Sequence, residues 1–346
     1  MNSKHFIKAG VLATILVLTG LLCWEAFWRI KGYEPTYNDD KALWALHRPK
    51  ARLPMDEATV FIGSSRIKFD LDIPTWEKLT GEKAVQLAIV GTSPRLILKD
   101  LAEDENFKGK LVIDITEPLF FSQNPIFHKF AEDALSFYKK QSLSENLSSS
   151  VNLALESQLV FLEESRFSIS TLLNDLEIQN RPGVFSYPAF PKGFQWTRFD
   201  RQTYMAEMFL NDSNEINEQT DIWTRLISGD KTPPLEGDGL NAVFEEVRLA
   251  VDKIRGRGGK VIFVRPPSSG PMGAGEKMAF PRDKYWDKIL ASAGAEGIHF
   301  SDYPETSGLI CPEWSHLSPG QAKTYTRHLV KRLGERGWFA ATAAHL

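Results

Sequence analysis

Three short apolar runs open the part of the chain that follows residue 55. Ala58–Ile62 and residues 86–90 each end at a glycine, and a third run covers residues 110–116. Connecting segments separate the runs, and two of the three are apolar nearly throughout. Strands that are covered on both faces have this composition, so the pattern predicts a parallel sheet in an α/β fold.

The alternation of strand and helix returns near residue 239. The predicted elements there are a helix over 239–255, a strand over 260–264, a helix over 282–293, a strand over 298–300 and a helix over 320–336. Together with the first three strands they predict a doubly wound sheet. The carboxyl ends of its strands are expected to gather the site residues at one edge.

Two helix starts carry the same local signal. Ser93 and Pro94 offer an N-cap and a first-turn proline for a helix that ends near residue 106, and Ser318 and Pro319 do so for the last helix. A short polar side chain can accept a hydrogen bond from the first turn, and proline there loses no helical hydrogen bond.

Between residues 120 and 237 the alternation of predicted strands and helices is interrupted. Long helical stretches occur there without a clear buried strand, and breaks are expected at residues 148–150 and 181–194. We interpret residues 120–237 as a helical insertion in the α/β domain. It could form a lid or a partner surface, or it could be a packing layer without a function of its own.

The N-terminus is long and apolar enough to anchor the chain in a membrane. Lys4 and Lys8 precede an uncharged run over residues 9–24, and about 20 residues of helix cross a bilayer core. Trp24 and Trp28 fit an interfacial aromatic belt. A cleaved signal peptide is the alternative, but no small-x-small cleavage site follows the run.

This pattern sets the expected organisation and location. Residues 1–31 form the anchor, the polar residues 32–54 a juxtamembrane linker, and residues 55–340 the α/β domain. A short N-terminal tail inside and a long domain outside predict a single-pass protein of the cytoplasmic membrane with its domain on the periplasmic, extracytoplasmic side.

Composition narrows the classes of function. The 346 residues carry a net charge of −3, so nucleic acid is not an expected partner. The seven histidines are dispersed, no phosphate-binding glycine loop follows a strand, and two cysteines form no disulfide framework. No cofactor or metal is predicted. Cys311 could act as a nucleophile, although a buried structural thiol is the simpler interpretation.

Candidate catalytic residues lie at the predicted ends of the first and last elements. Ser64 and Ser65 follow the first strand, and Glu313 and His316 stand before the last helix. A carboxylate three residues before a histidine can fix its tautomer, and the imidazole can then take a serine proton. Taken singly, each feature could also be an ordinary turn or a surface histidine.

Three further residues end predicted strands. Gly91 would let backbone N–H groups approach a reacting carbonyl, or it is a simple turn glycine. Thr116 ends the third strand. Arg265 ends the fourth, where it could bind a carboxylate or a sugar-linked anion, or only pair with a nearby acid.

Over residues 58–119 and 239–336 the chain resembles the SGNH/GDSL hydrolase superfamily. That family has a flavodoxin-like three-layer α/β/α fold, a serine in a Gly-Asp-Ser turn, a glycine after the second strand and Asp-x-x-His before the last helix. By position, the resemblance implies Ser65 as nucleophile, Gly91 as an oxyanion donor, His316 as base and Glu313 as acid.

The chain departs from the family pattern at three places. Ser64 replaces the aspartate of the first motif, which leaves it as a rival nucleophile, and Glu313 replaces the aspartate of the last motif. No asparagine ends the third strand, where Thr116 could substitute as a side-chain oxyanion donor.

The Gly-Ser-Ser turn behind a membrane anchor is similar to a subset of extracytoplasmic proteins that work with membrane-bound O-acyltransferases in teichoic acid and alginate modification. This similarity implies acyl transfer through an acyl-serine, with an acyl donor, a glycan acceptor and a membrane-bound O-acyltransferase as partners. An esterase or deacetylase that uses water, and a non-catalytic envelope scaffold, are the two alternatives.

Overall fold

The computed structural model of the chain describes residues 3–167, 171, 173, 190–229 and 232–339. It divides into two compact units. One comprises Met1–Asn38 and Leu143–Tyr187, and the other comprises Asp39–Ser142 and Pro188–Leu346. The second unit contains the parallel sheet, and the first contains the apolar N-terminal helix.

The sheet has five parallel strands in the order β2-β1-β3-β6-β7. A two-stranded antiparallel ribbon, β4 with β5, lies in the same unit. The strands are β1 (Ala58–Ile62), β2 (Lys83–Gln86), β3 (Lys110–Asp114), β4 (Trp196–Thr197), β5 (Thr203–Tyr204), β6 (Lys260–Arg265) and β7 (Glu296–His299).

Helices connect the strands. Numbered in chain order, those described are α1 (Ser3–Ile30), α2 (Lys41–His47), α3 (Ser65–Asp70), α4 (Ile73–Thr80), α5 (Arg95–Glu103), α6 (Glu117–Phe120), α7 (Lys129–Lys140), α8 (Leu143–Glu156), α9 (Glu164–Phe167), α10 (Glu207–Leu210), α11 (Ser213–Gly229), α12 (Gly237–Gly256), α13 (Gly270–Ala279), α14 (Trp286–Ala293), α15 (Pro304–Ser307) and α16 (Pro319–Gly334). Short 3-10 turns cover Arg48–Arg52, Pro125–Phe127, Val160–Leu162 and Phe300–Asp302.

Both faces of the sheet are covered by helices. In β3, Leu111 and Ile113 belong to one apolar cluster with Val247 of α12, whereas Val112 belongs to a second cluster with Leu329 of α16. Successive side chains of a strand point to opposite faces, so the three consecutive apolar residues of β3 require a layer of helices on each side. The prediction of an α/β fold with a parallel sheet is confirmed.

Several element boundaries differ from the predicted ones. β2 ends at Gln86. Beyond this end, the Leu87 N–H still donates to the carbonyl oxygen of Phe61 in β1, and the Ile89 N–H donates to that of Gly63, directly after β1. β7 ends at His299. α5 begins at Arg95 with Pro94 at the cap position, so Ser93 does not cap it. Local propensity locates such ends only to within a few residues.

Other elements were not predicted. The polar stretch assigned to a linker contains α2, whose Trp44 is buried in the sheet unit, and α2 is capped by Asp40. α13 and the ribbon are also additional. Of the residues assigned to the insertion, Leu143–Tyr187 group with the N-terminal residues, and Pro188 onward groups with the sheet. Residues 181–189 of the predicted break lie outside the described part.

Candidate active site

The turn after β1 is shaped by its neighbour β3. Gly63 follows β1, Ser64 takes the N-cap position in extended conformation, and α3 begins at Ser65. A Cβ on Gly63 would come within 2.4 Å of the Cβ of Asp114. Such contacts are too close for any side chain, so the packing of β3 against the turn requires glycine at this position.

Ser64 is held inside the turn by β3 and the residues after it. Its N–H donates to Asp114 Oδ2 (3.0 Å), and its hydroxyl hydrogen-bonds Thr116 Oγ1 (2.8 Å). Ser64 is 1% exposed, whereas the adjacent Ser65 is half-buried. Thr116 is thus bound to Ser64, and Ser65 is the more accessible of the two serines.

Asp114 lies under the serine turn and is wholly buried. Burial raises its pKa to about 6, although the hydrogen bond from the Ser64 N–H and the charge of Arg66 act against the rise. Around neutral pH this carboxyl group therefore titrates close to the candidate nucleophile.

Glu313 and His316 form a buried pair. The imidazole Nδ1 lies 3.1 Å from Glu313 Oε1, which also accepts the backbone N–H of His316 (2.6 Å). Glu313 is 0% exposed and His316 is 1% exposed. A carboxylate at Nδ1 favours the tautomer with the proton on that nitrogen, so Nε2 is left as the acceptor.

The second oxygen of Glu313 has a partner that the sequence did not reveal. Trp223 of α11 donates its indole N–H to Glu313 Oε2 at 2.5 Å. The carboxylate is thereby held at both oxygens, one by the backbone and imidazole of its own loop and one by a side chain nearly a hundred residues away in sequence. Trp223 is a positioning residue for the acid.

The imidazole lies among aromatic rings. Its ring stacks on Phe69 with centroids 4.2 Å apart, and the rings of Phe194 and Trp223 lie 5.7 and 6.2 Å away. Nε2 is buried and finds no hydrogen-bond partner among the residues that the structure describes. Phe69 stands four residues after Ser65 in α3, and residues at this spacing share one face of a helix.

The predicted serine and histidine are thus brought to one side of α3. The imidazole stacks on Phe69, four residues after Ser65, and Ser65 Oγ is not hydrogen-bonded to His316 Nε2. Catalytic hydrogen bonds are often long before substrate binds, so this open arrangement is compatible with a triad. The structure thus holds His316 by a carboxylate on the side of α3 that carries Ser65, without a hydrogen bond between the two side chains.

The guanidinium group of Arg265 forms its hydrogen bonds with other groups of the protein. Its Nε and Nη2 bind the Glu117 carboxylate at 3.0 and 3.1 Å, Nη2 also binds Glu276 at 2.6 Å, and Nη1 donates to Pro266 O and Ser268 Oγ. All five N–H groups have protein acceptors. The structure therefore agrees with the alternative in which Arg265 pairs with nearby acids.

Glu276 of α13 joins this network to the serine helix. It pairs with Arg66, the residue after Ser65, as well as with Arg265, and both partners are buried. Burial alone would raise the pKa of Glu276, but the two guanidinium groups lower it to about 2. α13 is therefore attached to the first turn of α3 by the buried Arg66–Glu276 pair and to β6 by the buried Arg265–Glu276 pair.

Gly91 and Cys311 occupy the remaining predicted positions. Gly91 follows β2 with a φ of 63°, and an added Cβ would meet open space, so its left-handed backbone is what favours glycine. Its role as an oxyanion donor stays a prediction. Cys311 is buried, and burial raises the pKa of its thiol, which favours the structural interpretation over a nucleophile.

Comparison of the chain with family models and with curated proteins identifies no family for it. No family model matches it, and a search of curated proteins finds no match. The residues of the site are therefore the basis on which a function can be proposed.

Proposed function

We propose that this chain is a membrane-anchored, extracytoplasmic serine O-acyltransferase that acts on a cell-envelope or exported polysaccharide through an acyl-Ser65 intermediate. The observation that carries the proposal is the buried Glu313–His316 pair, with Nδ1 held by the carboxylate and Nε2 without a hydrogen-bond partner among the described residues. A histidine fixed in this way is the arrangement that a general base requires.

The proposed mechanism uses three side chains. His316 Nε2 takes the Ser65 hydroxyl proton as Oγ attacks the carbonyl of an acyl ester or thioester. Backbone N–H groups at Ser65 and Gly91 stabilise the oxyanion, and the imidazolium returns its proton to the leaving group. An acceptor hydroxyl then repeats these steps in reverse, while Glu313 stabilises the charged imidazole.

The strand order supports the proposed fold family. The five sheet strands, counted along the chain, lie in the order 2-1-3-4-5, which is the flavodoxin-like doubly wound order. Ligands of such sheets bind beyond the carboxyl ends of the strands, and the serine turn follows β1 at that edge. We infer an SGNH-like flavodoxin fold from this order and from the motifs.

The proposed location depends on α1. Residues Lys4–Ile30 form a helix that is long and apolar enough to cross a membrane. The extracytoplasmic side, the cytoplasmic membrane, and a membrane-bound O-acyltransferase that delivers the acyl group belong to the proposal. The same residues with water as acceptor would make an esterase, and turnover of small acetyl esters without a glycan would favour that reaction.

Labelling with a fluorophosphonate serine probe tests the proposal on the full chain in detergent. We expect wild type and Ser64→Ala to be labelled, and Ser65→Ala and His316→Ala to lose labelling while circular dichroism shows them folded. We expect Glu313→Gln to label slowly, because the imidazole loses its charged partner. Unaltered labelling of Ser65→Ala would contradict the proposal.

A non-catalytic scaffold is the second candidate. The observation that favours it is the missing hydrogen bond between Ser65 and His316 Nε2. In that case the folded wild type would not react with the probe, and Ser65→Ala would leave the function of the protein in the cell unchanged.

A further inference from the structure

The helix α8 carries an exposed apolar stripe. Leu143, Leu147, Val151 and Leu155 recur every four residues, and their side chains are 79%, 60%, 61% and 47% exposed. Residues at this spacing lie on one face of a helix. A face of four large aliphatic residues is unusual on a helix that contacts only water.

The opposite face of α8 is polar but not basic. Glu145, Ser149, Asn152 and Glu156 follow the same spacing on the far side, and the helix contains no lysine or arginine. Serine and asparagine supply most of the remaining positions. The helix is therefore amphipathic, without the positive charge that draws helices to anionic lipid.

The end of α8 is attached to the end of the apolar helix α1 within one compact unit. The Glu25 carboxylate accepts the backbone N–H of Val160 at 2.9 Å, and Arg29 donates to the carbonyl oxygen of Gln158 at 2.7 Å. Arg29 also pairs with Glu25 at 2.6 Å. Two residues of the last turns of α1 thus bind the chain directly after α8.

A second attachment acts on α8 itself. Asn38 donates its side-chain N–H to Glu156 Oε1 at 2.8 Å, and Glu156 is buried although its helix is otherwise largely exposed. Through Asn38, the last residue of α8 is bound to the segment that follows α1.

These attachments fix the level of the C-terminal end of the stripe. Leu155 precedes Gln158 by three residues, so even an extended chain keeps it within about 10 Å of that contact. The C-terminal end of α1 is expected at the level of the lipid headgroups, and it carries Trp24, Trp28 and Arg29. The apolar stripe therefore begins at the level where a membrane surface would lie.

We propose that α8 lies in the surface of the membrane beside α1, with its stripe of Leu143, Leu147, Val151 and Leu155 inserted among the lipids. The proposal depends on α1 crossing the bilayer, which is part of the proposed function, but not on the serine chemistry. Because the polar face lacks basic residues, the expected ligand is the apolar zone beneath neutral headgroups.

The test uses the full chain reconstituted in phosphatidylcholine vesicles that contain nitroxide-labelled lipid. An environment-sensitive fluorophore is attached through Leu147→Cys or Val151→Cys in a Cys23→Ser background, with Glu145→Cys as the matched position on the polar face. A fluorophore on Cys23 of the otherwise unaltered chain reports separately on α1, and Cys311 is buried.

We expect the nitroxide lipid to quench the probes at positions 147 and 151 severalfold more strongly than the probe at 145. Added salt or anionic lipid should not increase the quenching. Equal, weak quenching at 147 and 145 beside a strongly quenched Cys23 probe would overturn the role of α8 and leave the anchor intact. An unquenched Cys23 probe would overturn the anchor and the proposal with it.

A protein partner on the stripe has a different signature. If a second copy or another protein covered α8, the probe at 147 would be shielded from aqueous iodide but not quenched by nitroxide lipid. That result would also overturn the proposal.

Discussion

At the scale of single residues, the candidate site depends on how Glu313 is held. Trp223 is the one side chain outside the histidine loop that the structure shows bonded to this carboxylate. Trp223→Phe keeps an aromatic ring beside His316 and removes only the N–H donor. We expect the rate of fluorophosphonate labelling to fall by about one to two orders of magnitude, since a hydrogen bond to a charged group contributes about 1.5–3 kcal/mol and about 1.4 kcal/mol is tenfold in rate.

The matched control is Trp196→Phe. Trp196 also lies within residues 120–237, and its indole N–H donates to the carbonyl oxygen of Lys192 rather than to a catalytic candidate. The labelling rate of this variant should stay near that of wild type. If Trp223→Phe labelled as fast as Trp196→Phe, Trp223 would have only a packing role.

Asp114 gives the fold a pH dependence. Its pKa is about 6 in the folded protein against an ordinary value of 3.8, so the folded state binds the proton more tightly. Its contribution to stability is complete below about pH 4 and is lost as the pH rises through 6. A shift of this size corresponds to about 3 kcal/mol.

Asp114→Asn should flatten this dependence. The amide oxygen can still accept from Ser64, and no charge forms as the pH rises. We expect the free energy of unfolding in urea, measured in detergent from pH 4 to 7, to decrease less than in wild type. Asp133→Asn, which alters an exposed carboxylate on α7, should leave the profile unchanged. A wild-type profile in Asp114→Asn would contradict the assignment.

Some site residues are visible in the sequence because their signal is local. Glu313 and His316 are three residues apart, and Ser65 follows an apolar run that reads as a strand. Trp223 and Phe69 have no such signal, because they meet His316 only through the tertiary fold. Likewise, nothing near Arg265 in sequence indicates that Glu117 and Glu276 occupy its donors.

At the scale of elements, two polar residues at the N-cap position can differ in what they contribute to stability. Asp40 accepts hydrogen bonds from the N–H groups of Ala42 and Leu43 at the start of α2, whereas the Ser318 side chain makes no capping bond at α16. We expect Asp40→Ala to lower the free energy of unfolding by about 1 kcal/mol, and Ser318→Ala to change it little. Urea unfolding monitored by tryptophan fluorescence compares the two variants, and equal losses would contradict this difference.

Buried strands were the elements best predicted from sequence. β1, β3 and β6 each contain at least three consecutive or nearly consecutive apolar residues, as strands covered by helices on both faces do. α2 was missed because it has only seven residues, too few for a helical period to appear, and its burial comes from packing against α7. Its presence means that a soluble fragment should keep the residues from Asp39 onward.

At the scale of the whole molecule, the sequence predicts the class of fold but not the division of the chain. A parallel, doubly wound sheet is predicted, but the order of its strands is seen only in the structure, where β3 and β6 are neighbours although residues 120–237 lie between them in the chain. The grouping of Leu143–Tyr187 with the N-terminal residues depends on contacts such as those of Glu25 with Val160. Such contacts join residues that lie far apart in the chain, so no local sequence pattern predicts them.

The central claim is that Ser65 becomes acylated with His316 as its base. The most direct measurement is peptide mapping by mass spectrometry after the full chain has reacted with an activated acetyl ester and been quenched in acid. We predict an acetyl group on Ser65, absent in His316→Ala and trapped in smaller amount in Glu313→Gln. An acetyl group on Ser64, or none on a folded wild-type chain, would contradict the account.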